Sequence, residues 1–219
     1  MRSFDEIYEI SAHRHGGEEA LEQSLPKPDP YLATLPEDRW LSIMTKCVFQ
    51  AGFSWKVIEA KWPGFEAAFD AFDLARNAFM DDEKLDALLR NTDIVRNGAK
   101  IQTVRDNAVF LMELRQDGGA GEVFGNWRND DFVGLLEMLK KRGSRFGGNT
   151  GQMVMRFAGR DGFVLSKDVT ARLIAEGVID KPASSKTALR SVQQAFDSWQ
   201  QQSERSLMEI SRVLALSCG

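Results

Sequence analysis

Apolar residues recur along this chain at every third or fourth position, which is the period of an amphipathic helix, whereas alternating strand-like runs are nearly absent. Residues 40–53 show the strongest pattern and predict a helix at the centre of the core. The pattern therefore predicts an all-α fold. Ten further helices are expected, at residues 4–25 with a break at 15–17, 55–60, 65–79, 82–90, 100–114, 131–141, 152–158, 169–176, 186–202 and 206–216.

A glycine-rich turn separates the helices predicted at 131–141 and 152–158. Gly143 ends the first helix, and Gly147 and Gly148 permit positive φ and a close approach of the backbone. Asn149 or Thr150 can cap the second helix. The pattern predicts a helix–hairpin–helix over residues 139–158, although an ordinary turn between two packed helices would have the same residues.

Such a hairpin suits phosphate binding, because backbone N–H groups and the positive end of the second helix face the anion. Arg145 and Lys141 would add positive charge. A carboxylate, Asp168, follows after the loop 159–166 and opens another apolar segment. We expect this carboxylate at a helix N-terminus close to the hairpin, where the alternative role is that of a plain N-cap.

The hairpin, helix, loop and Asp resemble the helix–hairpin–helix DNA glycosylase superfamily. Three segments resemble its 3-methyladenine DNA glycosylase I family: Phe49 to Trp55 (FQAGFSW), Ile94 to Gln102 (IVRNGAKIQ) and Leu139 to Thr150 (LKKRGSRFGGNT). The similarity covers residues 40–174. It implies two interlocked helical subdomains within a single unit of residues 1–219, in which the helices of 1–39 and 184–219 pack together.

This resemblance implies a monofunctional DNA N-glycosylase of base-excision repair, which flips an alkylated purine out of double-stranded DNA and hydrolyses its N-glycosidic bond. Asp168 would stabilise the oxocarbenium-like sugar and act as general base. Bifunctional members carry a Schiff-base lysine where this chain has Asn149 and Thr150. Lyase activity is therefore not expected. Lys167, which precedes Asp168, is the one lysine that could supply a Schiff-base amine instead.

The resemblance also suggests a base pocket lined by Phe49, Phe53, Trp55 and Cys47. Aromatic faces would stack on the extruded base and attract a cationic alkylpurine, but core packing explains most helical aromatics equally well. Cys47 stands where the family carries a Glu for recognising methyladenine. A thiol cannot replace that carboxylate, so the substrate preference is altered or the chain is a non-catalytic homologue that binds damaged DNA.

The turn at Asn97 and Gly98 lies near DNA in the superfamily, which makes Asn97 and Lys100 candidate contacts to backbone phosphates; helix capping explains Asn97 equally well. Basic residues accumulate on this expected DNA face. They are Arg96, Lys100, Arg105, Lys140, Lys141, Arg142, Arg145, Arg156, Arg160, Lys167 and Arg172.

The net charge of −4 is unlike the basic footprint of most nucleic-acid binders, and it favours a third reading, a helical interaction protein with no nucleic-acid role. No apolar run approaches the roughly 20 residues of a membrane span. The acidic N-terminus does not resemble a signal peptide. We expect a cytoplasmic monomer, associated with the nucleoid when it acts on DNA, with no membrane partner.

No cofactor or metal is expected. The two cysteines, Cys47 and Cys218, form no metal-ligand pattern, and the superfamily's iron–sulfur cluster needs four. The family's structural zinc is not expected either, because no Cys accompanies His13 and His15. Residues 116–126, which are rich in glycine, are expected to form a flexible connector.

Overall fold

The computed structural model describes residues 1–218, and no strand occurs among them, which confirms the all-α prediction. None of the helices in this range is both long and apolar enough to cross a bilayer. The thirteen α-helices of the described chain are α1 Phe4–Arg14, α2 Glu18–Ser24, α3 Glu37–Gln50, α4 Trp55–Ala68, α5 Leu74–Ala78, α6 Asp82–Arg90, α7 Gly98–Leu114, α8 Ala120–Gly125, α9 Phe132–Arg142, α10 Thr150–Ala158, α11 Lys167–Ala175, α12 Lys186–Ser203 and α13 Leu207–Leu216.

The chain divides into two compact units, each built from stretches that are distant in sequence. The terminal unit contains Met1–Asp29, Trp127–Leu136 and the described residues from Gly159 onward. The central unit contains Pro30–Asn126 and Glu137–Ala158.

The central unit is assembled around α7, which packs against α3, α5, α6 and α8. The predicted apolar stripe of α7 is fully buried, and it consists of Ile101, Val104, Ala108 and Leu111. Helix α3 also contacts α10. Aromatic rings fill the space between α3 and α4, where Phe49 meets Phe65 edge to face with centroids 4.7 Å apart.

The terminal unit is assembled around α13, which packs against α1, α11 and α12. A row of buried rings supports it, with successive centroid distances of 5.0, 4.4 and 5.8 Å along Phe132, Phe163, Phe196 and Trp199. The Trp199 indole N–H donates to the Arg2 carbonyl oxygen. The Ser11 hydroxyl donates to the Val213 carbonyl oxygen at 2.7 Å. The N-terminal helix is thereby tied to the last two helices.

Three predicted elements are wrong. The helix expected at 55–60 does not end there, because α4 continues through Pro63 to Ala68. The single helix expected at 65–79 is broken by a 3₁₀ turn at Asp70–Phe72, in which three successive non-glycine residues adopt positive φ. The connector expected at 116–126 contains α8, whose Phe124 is fully buried against Trp40. Gly121 lets α8 approach the backbone of Ala33 closely, because a side chain at this position would collide with the Ala33 carbonyl group.

Candidate nucleic-acid interface

The predicted hairpin joins α9 to α10. Helix α9 ends at Arg142, residues 143–149 form the turn, and α10 begins at Thr150. Two residues of the turn lie in the left-handed region, Gly148 with φ of +59° and Arg145 with φ of +67°. The first suits glycine, whereas the second carries a Cβ penalty that the surrounding contacts must offset.

A buried aromatic ring anchors the turn. Phe146 is 3 % exposed, and its ring lies where a side chain on Gly143 would have to go. The N–H of Gly143 donates to the Leu139 carbonyl oxygen at 2.9 Å and ends α9. Gly143 is therefore required for the packing of Phe146. Gly147 and Gly148 make no such contact and lie on the exposed side of the turn.

The outer face of the hairpin is open. Gly147 and Gly148 are exposed, and a Cβ on either would meet no atom within 4 Å. Among residues 1–218, no acceptor bonds the N–H of either glycine. Lys141, Arg145 and Asn149 are also exposed, and Thr150 is half-buried with its N–H donating to the Gly147 carbonyl oxygen at 3.3 Å. Open amides beside cationic side chains at a helix N-terminus suit a phosphate.

Exposed aromatics form a second feature of the central unit. Trp55 at the start of α4 is 49 % exposed, and it meets Phe157 of α10 edge to face with centroids 5.8 Å apart. Phe157 is itself 47 % exposed, and Phe53, in the turn before α4, is 36 % exposed. Phe157 was not among the predicted pocket residues. Nothing in the sequence singles out Phe157, because an aromatic residue within an apolar helix is usually predicted to be buried in the core.

The other two predicted pocket residues are buried in α3. Phe49 is fully buried against Phe65, so the core-packing alternative describes it. Cys47 is 4 % exposed, and burial raises the pKa of its thiol to about 12. The thiol is therefore neutral at physiological pH.

Lys100 is not on the surface, which corrects its expected role as a phosphate contact. It is 7 % exposed, and its ammonium group donates to the carbonyl oxygens of Val48 and Ala51 at the end of α3. The ammonium also lies 5.1 Å from the Phe53 ring centroid. Burial lowers the pKa of Lys100, and the positive charge of Arg145 lowers it further.

Asn97 is the N-cap of α7, as the capping alternative states. Its Oδ1 accepts from the Lys100 N–H at 3.1 Å. Two other members of the expected basic face are also buried. Arg160, 3 % exposed, donates to Asn129 Oδ1 at 2.6 Å, and Arg172, 8 % exposed, donates to the Ser217 carbonyl oxygen at 2.6 Å. Both guanidinium groups therefore stabilise the terminal unit.

Asp168 belongs to the terminal unit, as the second residue of α11. Ser166 is the N-cap, its hydroxyl accepting from the Val169 N–H at 3.2 Å, so the plain N-cap alternative is wrong for Asp168. Asp168 is exposed, and no described residue forms a hydrogen bond or ion pair with it. A carboxylate in the first turn is favoured by the positive helix end and is accessible to a substrate.

Candidate metal ligands do not converge within the described chain. No three His, Cys, Asp or Glu side chains of residues 1–218 form a group that could hold an ion. Cys47 and Cys218 are both thiols. The Nε2 atom of His15 lies 2.9 Å from the Leu216 carbonyl oxygen.

Comparison with known proteins points to one family. The family model described as methyladenine glycosylase matches residues 36–131, which include Cys47 and Trp55 but neither the hairpin nor Asp168. DNA-3-methyladenine glycosylase 1 of Escherichia coli (strain K12) is 33 % identical over 69 residues. That match covers 32 % of this chain and 37 % of the length of the E. coli protein.

Solved structures agree with this match. A crystal structure of 3-methyladenine DNA glycosylase I has 26 % sequence identity and a TM-score of 0.51, covering 64 % of this chain and 86 % of that one. The Staphylococcus aureus 3-methyladenine DNA glycosylase I, at 20 % identity with a TM-score of 0.52, covers 64 % and 82 % and supports the fold. The family model, the E. coli relative and the 26 % identical crystal structure thus agree: over part of its length the chain is similar to the methyladenine glycosylase family, and it shares the all-helical fold of those enzymes.

Proposed function

We propose that this protein is a monofunctional DNA N-glycosylase that removes alkylated purines of the 3-methyladenine type from double-stranded DNA. The observation that carries this proposal is the open hairpin between α9 and α10 in a chain that is similar to the methyladenine glycosylase family. The protein would act as a monomer in the cytoplasm, on the nucleoid, in base-excision repair.

The hairpin supports the binding step. Its two open glycine amides and the side chains of Lys141 and Arg145 offer donors and positive charge to phosphates of one strand. Such contacts fix the register of the protein on the duplex without reading the sequence. They also make binding depend on salt, since each neutralised phosphate releases counterions. The net charge of −4 does not oppose this, because the cations are concentrated locally.

Asp168 supports the chemical step. Cleavage of the N-glycosidic bond leaves positive charge on the sugar, which a carboxylate without a competing partner can stabilise. The same carboxylate can accept a proton from the attacking water. The exposed rings of Trp55, Phe157 and Phe53 offer faces on which an extruded base can stack.

Base release from methylated duplex DNA tests the proposal, with 3-methyladenine, 7-methylguanine and 1-methyladenine measured separately. Wild type should release 3-methyladenine, and Asp168→Asn should lower the single-turnover rate about a hundredfold or more. Asp180→Asn, another exposed carboxylate of the terminal unit, is the matched control and should keep the wild-type rate. Release without strand cleavage would distinguish a monofunctional enzyme from a lyase. An unaltered rate in Asp168→Asn would assign the chemistry to another group.

Cys47 supports a second candidate, a homologue that binds damaged DNA without cleaving it. Its buried, neutral thiol offers no negative charge to a cationic base. Tight binding of wild type to duplex DNA with an abasic site, without release of any of the three bases, would select this candidate.

A further inference from the structure

A buried amide connects the long central helix to the hairpin. Asn107 of α7 is fully buried between the apolar residues Val104 and Leu111 of the same helix. Its Oδ1 accepts from the Ser144 N–H at 2.7 Å, and its Nδ2 donates to the Ser144 carbonyl oxygen at 3.3 Å. A single side chain thereby bonds both polar backbone groups of one residue in the turn.

The position of Ser144 makes these bonds consequential. Ser144 directly precedes Arg145, whose backbone adopts a left-handed conformation that disfavours residues with a Cβ. Because the N–H and the carbonyl group of Ser144 are both held by Asn107, the orientation of the backbone just before Arg145 is fixed. On the other side of Arg145, Phe146 is anchored by the burial of its ring. Arg145 is therefore held between two anchored neighbours while its own side chain stays exposed.

The bonds are also more specific than core stability requires. A buried polar group must be hydrogen-bonded, and a helix offers its own carbonyls for that purpose, as the neighbouring Thr103 shows by donating to the Lys100 carbonyl oxygen at 2.6 Å. Asn107 instead reaches a segment 37 positions away in sequence. An apolar residue could fill the same place in the core without defining the turn.

We propose that Asn107 is a positioning residue for DNA binding, which holds the hairpin in the conformation that presents Arg145 and the Gly147 and Gly148 amides to a phosphate. This inference rests on the proposed function, since it assumes that the hairpin contacts DNA. Asn107 itself touches no substrate.

The test compares Asn107→Ala with Thr103→Val, which removes a hydrogen bond from an equally buried residue of the same helix without touching the turn. Amide hydrogen exchange at Ser144 directly measures how well its N–H is protected by Asn107, and this measurement does not depend on activity. Single-turnover release from methylated duplex, titrated with enzyme, separates affinity from the rate at saturation. Asn107→Asp keeps the acceptor for the shorter bond and serves as the conservative variant.

We expect Asn107→Ala to speed exchange at Ser144 and to raise the half-saturating enzyme concentration about tenfold, with the saturating rate within about twofold of wild type. Asn107→Asp should recover part of the affinity, and Thr103→Val should bind as wild type does. If Asn107→Ala does not fold, Asn107→Asp is compared with wild type and Thr103→Val instead, and it must speed exchange at Ser144 and raise the half-saturating enzyme concentration, whereas Thr103→Val must not.

Two results would overturn the inference while leaving the proposed function intact. One is wild-type affinity in Asn107→Ala, and the other is an equal loss of affinity in Thr103→Val, which would make the effect one of general stability. If wild type neither binds nor cleaves methylated duplex, the proposed function fails first, whatever the exchange at Ser144 shows.

Discussion

Trp55 and Phe157 meet edge to face with ring centroids 5.8 Å apart, although about half of each residue remains exposed. Burial of these rings would contribute to stability, so their exposure leaves a large apolar area in water. The pairing fixes the orientation of Trp55 and leaves part of it accessible. This arrangement suits a platform on which an unpaired base can stack.

Replacing Trp55 by Ala should therefore impair base release more than folding. Stacking of a base on an aromatic ring contributes about 1–3 kcal/mol, so we expect the half-saturating enzyme concentration to rise about tenfold or more. Phe79→Ala is the control, because Phe79 is 77 % exposed and no ring of the described chain pairs with it. Equal effects of the two substitutions would argue against a platform at Trp55.

Lys100→Met should destabilise the central unit. The substitution leaves the Val48 and Ala51 carbonyl oxygens without their donor at the end of α3, and an unsatisfied buried polar group costs about 1–3 kcal/mol. We expect a loss of about 2 kcal/mol in the free energy of unfolding, measured by urea denaturation. A variant as stable as wild type would show that water replaces the ammonium group.

Lys141→Ala should affect DNA binding and not stability, in contrast to Lys100→Met, because Lys141 is exposed at the end of α9. Unfolding in urea should be unchanged. The dependence of DNA affinity on salt should weaken by about one counterion, since one phosphate contact is lost. An unchanged salt slope would place Lys141 outside the DNA contact, whereas a lower urea midpoint would give it a structural role.

Local pattern predicted which helices form, because the spacing of apolar residues such as those of α7 and α12 is decided within each segment. It also placed the turn between α9 and α10, where glycine and capping residues leave few alternatives. The break between α4 and α5 could not be predicted, since the positive φ values of Asp70–Phe72 occur without a glycine. The burial of Lys100 depends on the end of α3, a contact distant in sequence.

The two cysteines should differ sharply in reactivity. Cys47 is 4 % exposed with a pKa raised to about 12 by burial, while Cys218 is partly exposed. Since the thiolate is the reactive form, iodoacetamide at pH 8 should label Cys218 and spare Cys47 in the folded protein. Mass spectrometry of peptides before and after unfolding in urea measures this. Rapid native labelling of Cys47 in a Cys218→Ser variant would show that α3 opens.

Glu209 should contribute to stability at neutral pH and lose that contribution in acid. Its side chain is 7 % exposed; burial raises its pKa, but hydrogen bonds from Lys27 and Ser206 outweigh burial and lower the pKa. A carboxylate with a lower pKa in the folded state stabilises the protein above its unfolded pKa, about 4.3. The contribution disappears as pH falls through the folded value.

Glu209→Gln should therefore lower the free energy of unfolding by about 1–2 kcal/mol at pH 7. The difference from wild type should begin to shrink as pH falls below the unfolded pKa, about 4.3, and should disappear only below the lower folded pKa of Glu209. Urea midpoints at pH 7 and pH 3.5 measure both values. Glu113→Gln, which removes an exposed ion pair with Arg142 at 3.5 Å, is the control and should change stability little at either pH. A difference for Glu209→Gln that persists unchanged at pH 3.5 would show that shape and packing at the start of α13, and not charge, account for it.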